Sequence, residues 1–295
     1  MKRRLFAVLA LLASFHTVCF AADLPDYIRY AENQRSARLE VAIRKFTMPT
    51  GQTADLIGVV HIADAAYYQQ LNERFDSYDS VLFELVGDPE ALTQNAPQRQ
   101  AQQSTGSGVS LIQQAASKHL DLAFQLDAID YSKKNMVHAD ATREEFARME
   151  QERGENVLTL FVSAMQAQMS SGNRMAMREL DTFALIRILM SPDSAMEFKK
   201  ALAKTFDQME SITAAMEGPK GSAILSGRNE VVLNKVREVL ANKKQRRIAV
   251  FYGGAHMPGI ESRLIKDLNA KAAGEEWLTA WEMPKANTAT TATKP

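Results

Sequence analysis

From Arg38 to Phe46 apolar and polar residues partly alternate, with Leu39, Val41 and Ile43 in phase. After Gly51-Gln52 the apolar run Ala54-Asp55-Leu56-Ile57-Gly58-Val59-Val60 leads to His61. Alternation interrupted by a glycine turn predicts a β-hairpin whose second strand ends at His61. Asp64 stands where a cap would open a helix from Ala65 to about Phe75, and Ser80-Val81-Leu82-Phe83-Glu84-Leu85-Val86 reads as a buried strand carrying one carboxylate. Strand, helix, strand in this order predicts a parallel pair joined by a right-handed crossover.

Residues 94 to 108 are Gln-rich, end in Ser104-Thr105-Gly106-Ser107-Gly108, and lack apolar periodicity and aromatic residues, which predicts a surface loop or disordered link. From Leu111 to Leu240 the pattern is helical apart from a short extended piece around Asp127 to Val137. His119 falls on a helix surface, and Thr142-x-x-Glu145 forms a capping box ahead of Phe146 and Met149. Ten of the 14 methionines lie between Met136 and Met216, and pairs such as Met165 and Met169 sit at helical spacing. Pliable core packing accounts for that spacing more readily than a Met-lined groove does. Sheet character returns with Arg247 to Tyr252, then a helix from Pro258 to Leu268 and a last strand from Trp277 to Trp281. The expected fold class is α/β: one domain over residues 22–285 with a mixed sheet, a large helical insertion at about 109–221, and a polar, disordered tail at 286–295.

The first 21 residues differ from the rest. Lys2-Arg3-Arg4 is a basic start, Leu5 to Leu12 an apolar run, and Cys19-Phe20-Ala21 a small-x-small ending, the pattern of a secretory signal peptide. The run is short and interrupted by Ser14, His16 and Thr17, unlike a bilayer anchor of about 20 apolar residues. An exported, periplasmic protein is therefore expected, ahead of a secreted or membrane-anchored one. Removal of the segment takes away the only cysteine, Cys19, so thiolate chemistry and disulfides drop out. Lys plus Arg and Asp plus Glu balance at 35 each, and loss of the three basic residues leaves a net charge near −3. Such a balance offers no electrostatic footprint for nucleic acid.

What remains for chemistry is His, carboxylates, hydroxyls and Arg. Two segments share one design, Gly58-Val59-Val60-His61 and Gly253-Gly254-Ala255-His256, each closing an apolar strand and preceding a helix. Strand ends suit catalysis, because ligands of open α/β sheets gather beyond the carboxyl edge. Glycine there admits a close neighbour, whether a packing partner or a ligand, and neutral imidazole is a common metal ligand. Glu84, inside an apolar run, is costly to bury unless paired or metal-bound, and an exposed strand face is its other reading. His61, His256 and Glu84 together make a candidate open metal site with positions left for water and substrate. Arg228, in Ser226-Gly227-Arg228-Asn229, either solvates a helix start or reaches the sheet edge to pair with Glu84 or hold an oxyanion. His138 and Asp140 are candidates for supporting or substrate-binding roles, although Asp140 reads first as part of the turn before the helix capped by Thr142.

Gly58-x-x-His61, Glu84 in a following strand, Arg228-Asn229 on a late helix and Gly253-x-x-His256 together resemble the pattern of the TraB/PrgY/GumN family, relatives of the Tiki metalloproteases. The likeness covers roughly 38 to 90 and 222 to 284. It implies an α/β fold of two related halves and a divalent-metal site built on His61, His256 and Glu84, with Arg228 assisting and Asn229 beside it. The expectation is a hydrolase-like protein using Mn, Co or Zn on a peptide or amide bond of a peptide or small-molecule substrate. The alternative is a non-catalytic periplasmic protein that sequesters a peptide or signal and keeps the pocket as a structural site.

Overall fold

A computed structural model describes residues 25–93, 120–154, 190–191, 193–207 and 221–285. The expectations for the signal segment, the 94–108 link, His119, Met165 and Met169, and the tail lie outside the described residues. The elements in chain order are β1 (Ile28–Glu32), β2 (Ser36–Thr47), β3 (Thr53–Val59), β4 (Ile62–Ala63), α1 (Ala65–Phe75), β5 (Ser80–Phe83), β6 (Ala123–Phe124), α2 (Gln125–Ala128), β7 (Met136–His138) and α3 (Arg143–Arg153). They continue with α4 (Ser194–Asp207), a π-helical turn at Ala223–Gly227, α5 (Arg228–Ala241), β8 (Arg247–Gly253), a 3₁₀ turn at Gly254–His256, α6 (Met257–Leu268) and β9 (Lys271–Pro284).

Seven strands form one mixed sheet. β2 and β3 make the expected antiparallel hairpin, Thr47 opposite Thr53, and β9 runs antiparallel along β2 from Ser36 to Thr47. Because β9 occupies one side of β2 throughout, β1 and β3 share its other side. Beyond β3 the sheet is parallel, in the order β3, β8, β5, β7. The expected β3–β5 pair is thus corrected: both strands are parallel, but β8 lies between them and bonds each. Local patterning shows which residues are buried, and it is silent on which strand becomes the neighbour.

Burial explains the parallel part. Along β8, Ala249 and Phe251 belong to one hydrophobic cluster with Tyr67, Tyr68, Leu71 and Phe75 of α1. The alternating residues Ile248, Val250 and Tyr252 join Val232, Leu233 and Val236 of α5 and Ile260 and Leu264 of α6 on the opposite face. Helices cover both faces, which is why the sequence of β8 reads as a continuous apolar run rather than an alternating one.

Several boundaries differ from expectation. β3 stops at Val59 and β5 at Phe83, so His61 and Glu84 sit just past their strands. Asp64 occupies the N-cap of α1 without capping it; its carboxylate instead takes Lys199 Nζ at 2.7 Å and the Glu282 amide at 2.6 Å, tying α4 and β9 to the start of α1. Thr142 and Glu145 do form the capping box of α3. The segment expected as a helical insertion also contributes sheet, since β7 pairs with β5 and β6 pairs with β4 in a two-residue ribbon. No described helix is long and apolar enough to cross a membrane.

Candidate functional site

The four parallel strands end along one edge, and the polar residues follow them. His61 lies two residues beyond β3, Glu84 one beyond β5, Asp140 two beyond β7, and His256 three beyond β8. Cross-strand register sets these ends level, with Ile57, Phe251, Phe83 and His138 forming a row across the sheet.

Gly253 is the point of convergence. A Cβ there would stand 3.2 Å from Glu84 Oε2 and 3.8 Å from both His61 Nε2 and His256 Cδ2. The glycine amide donates to Glu84 Oε2 at 2.6 Å, so the missing side chain lets the carboxylate settle on the backbone. Gly58 differs: a Cβ would meet Val41 Cγ1 at 3.0 Å and Tyr27 Cδ1 at 3.4 Å, which makes it a packing glycine under β2.

Arg228, first residue of α5, supplies the positive charge. Its Nη2 donates to Glu84 Oε1 and to Asp140 Oδ2, both at 2.5 Å, and its Nε donates to Asp140 Oδ1 at 3.0 Å. Nη1 donates to His256 Nε2 at 3.2 Å. Burial opposes the guanidinium charge, and Asp140 and Glu84 outweigh it, so the side chain stays ionised. Asp140, read from sequence chiefly as a turn residue, is 5% exposed and is the bidentate partner of Arg228. It also accepts the Ala141 amide at 2.8 Å and so serves the turn too.

The imidazoles have defined states. His256 Nδ1 donates to Asn229 Oδ1 at 2.8 Å, and its Nε2 accepts from Arg228, which fixes an Nδ1–H tautomer. Burial first, then Arg228, pushes its pKa down to about 4 against the pull of Glu84 and Asp140, so the ring is neutral at pH 7. Burial would raise the Glu84 carboxyl, but His256, Arg228, His61 and the Gly253 amide together hold it down to about 2. Above pH 4 Arg228 is the cation that separates the Glu84 Oε1 charge from the His256 Nε2 lone pair 3.5 Å away.

His61 is exposed, yet its backbone is held from three sides. Tyr68 of α1 donates to Val60 O at 2.7 Å, the Gln125 amide to His61 O at 2.9 Å, and Trp281 of β9 to Ile62 O at 2.7 Å. Its Nδ1 meets Gln125 Oε1 at 2.8 Å. Sequence reasoning passed over Gln125, because a lone glutamine between two short elements carries no periodic or motif signal. His138 stands apart: its Nε2 donates to Leu85 O at 2.7 Å and its ring lies 5.7 Å from that of Phe83, so it tethers the segment after Glu84.

Among the described residues no group of three His, Cys, Asp or Glu is arranged to hold a metal ion. The donor chemistry nevertheless fits one: a carboxylate held ionised, and an imidazole whose Nδ1 proton is given to an amide oxygen so that Nε2 carries the lone pair. The cation present between Glu84 Oε1 and His256 Nε2 is the Arg228 guanidinium. No family model matches the chain, and no curated protein matches it.

Proposed function

We propose that the protein is an exported, periplasmic, metal-dependent hydrolase of the TraB/PrgY/GumN type, acting on peptide or amide bonds. The observation that carries this reading is the convergence of Glu84, His61 and His256 over the bare Cα of Gly253. The sequence order of strand, Gly-x-x-His and helix on either side supports two related halves, and the basic-apolar-small pattern of the first 21 residues supports export.

On this reading His61, His256 and Glu84 hold the ion, which when bound supplies Lewis acidity and a water of lowered pKa. Asn229 keeps the His256 Nδ1 proton away from the centre. Arg228, fixed on Asp140, is the buried cation placed beside the centre to offset a developing oxyanion's charge. Glu84, ionised at neutral pH, is available as a proton acceptor where it does not ligate.

Chelator-stripped, refolded protein should take up one equivalent of Mn, Co or Zn by elemental analysis, and His61→Ala with His256→Ala should abolish the uptake. Equal uptake by the double variant removes the metal reading. One observation favours a non-catalytic sequestering protein instead: Arg228 already balances Glu84 and occupies the His256 lone pair, a closed arrangement without an ion. That reading predicts peptide binding that survives both chelation and His61→Ala.

A further inference from the structure

We infer that Gln125 is a positioning residue that sets the tautomer of His61, taking the Nδ1 proton so that the unprotonated Nε2 faces the centre over Gly253. His61 is exposed, and an imidazole in water is not confined to one neutral tautomer by its surroundings. The proton is confined to Nδ1 only if an acceptor is held there.

Gln125 is 3% exposed and is delivered to that place by backbone pairing. The β4–β6 ribbon aligns Ile62 with Phe124 and Ala63 with Ala123, and the Gln125 amide then closes on His61 O at 2.9 Å. The side chain bridges two partners: its Nε2 donates to Tyr131 OH at 2.9 Å and its Oε1 faces His61 Nδ1 at 2.8 Å. Tyr131 is itself seated on Phe83, ring centroids 5.0 Å apart, on the strand that ends at Glu84.

The same chemistry recurs at the other imidazole from an unrelated element. Asn229 of α5 presents an amide oxygen to His256 Nδ1, also at 2.8 Å. Both partners are neutral amides rather than carboxylates, so each fixes a tautomer without adding negative charge to a centre that already holds Glu84 and Asp140. Purely structural duty is an insufficient account of the Gln125 side chain, because the ribbon and the backbone bond already hold the segment. The consequence for affinity, though not the tautomer itself, rests on the metal reading above.

The test is imidazole nitrogen NMR on the full chain at mildly alkaline pH, paired with Mn titration. Wild type should show His61 as Nδ1–H. Gln125→Met, close in volume and without an acceptor, should move it to Nε2–H or a mixture, and Gln125→Glu, which keeps an acceptor, should restore Nδ1–H. Mn affinity should fall roughly 10- to 100-fold in Gln125→Met and largely recover in Gln125→Glu. An Nε2–H tautomer in wild type, or an unchanged tautomer in Gln125→Met, overturns the inference. If Gln125→Met does not fold, the wild-type and Gln125→Glu spectra still decide. A tautomer that responds as expected in a protein that binds no Mn leaves the Gln125 role standing and sinks the metal reading alone.

Discussion

The two Gly-x-x-His segments are alike in sequence and unlike in physics. His256 is buried and held through its side chain, by Asn229 on one nitrogen and Arg228 on the other. His61 is exposed and held through its backbone, with the amide of Gln125 as its side-chain partner. Their glycines part in the same way, since Gly58 admits Val41 and Tyr27 of the core while Gly253 admits Glu84 of the site. A shared motif can therefore mark two places along a sheet edge without marking one role. Here one segment belongs to a buried charge network, and the other presents a ring to solvent.

The sharpest way to break the comparison is at the buried side. Arg228→Met leaves Glu84 and Asp140 without their cation, and urea denaturation should show a loss of about 3–5 kcal/mol. A loss below about 1 kcal/mol would mean that the guanidinium is not what holds the centre together. Acid comes next. Because the folded pKa of His256 lies at about 4, below its ordinary 6.5, the unfolded chain binds the extra proton between those values. Stability is then full above pH 6.5 and falls as pH drops toward 4, by roughly 2–3 kcal/mol; Glu84, depressed to about 2, extends the loss below pH 4.5. His256→Gln should flatten the upper part of that curve, and an unchanged curve would count against the buried neutral ring.

A paired substitution separates the glycines. Gly58→Ala should cost about 1–3 kcal/mol through overpacking against Val41, with metal uptake unaltered in the protein that folds. Gly253→Ala should cost less in thermal melting and should instead disturb the Glu84 carboxylate and metal uptake. Reversed outcomes would exchange their roles. The smallest effect is expected for His61→Ala, about 1 kcal/mol by the same urea titration, because the ring is exposed, the backbone bonds remain, and what is lost is the one bond to Gln125 Oε1.

What the sequence conveyed follows from the range of the forces that write it. The hairpin, the helix Ala65–Phe75 and the Thr142–Glu145 box depend on residues within one or two turns of each other, and the structure has them where the pattern puts them. Strand β9 was legible only over Trp277 to Trp281, because its first half is an exposed edge without apolar alternation and is set by pairing with β2. The insertion of β8 between β3 and β5 is a long-range choice that no local period encodes. At the site, His61, Glu84, Arg228, Asn229 and His256 stand out in the sequence because each breaks an apolar pattern or flanks a motif. Asp140 could be read as a turn acid or as a supporting group and serves as both, while Gln125 carries no signal, because a turn acid and a lone glutamine look the same whether they face solvent or a partner 88 or 64 residues away.

The three consecutive carbonyls under His61, at Val60, His61 and Ile62, draw their donors from α1, α2 and β9, which lie early, midway and last in the described chain. The imidazole's place thus depends on three parts of the fold far apart in sequence. A change in β9 that withdraws the Trp281 indole is therefore felt at a histidine some 220 residues earlier, although the two side chains share no bond.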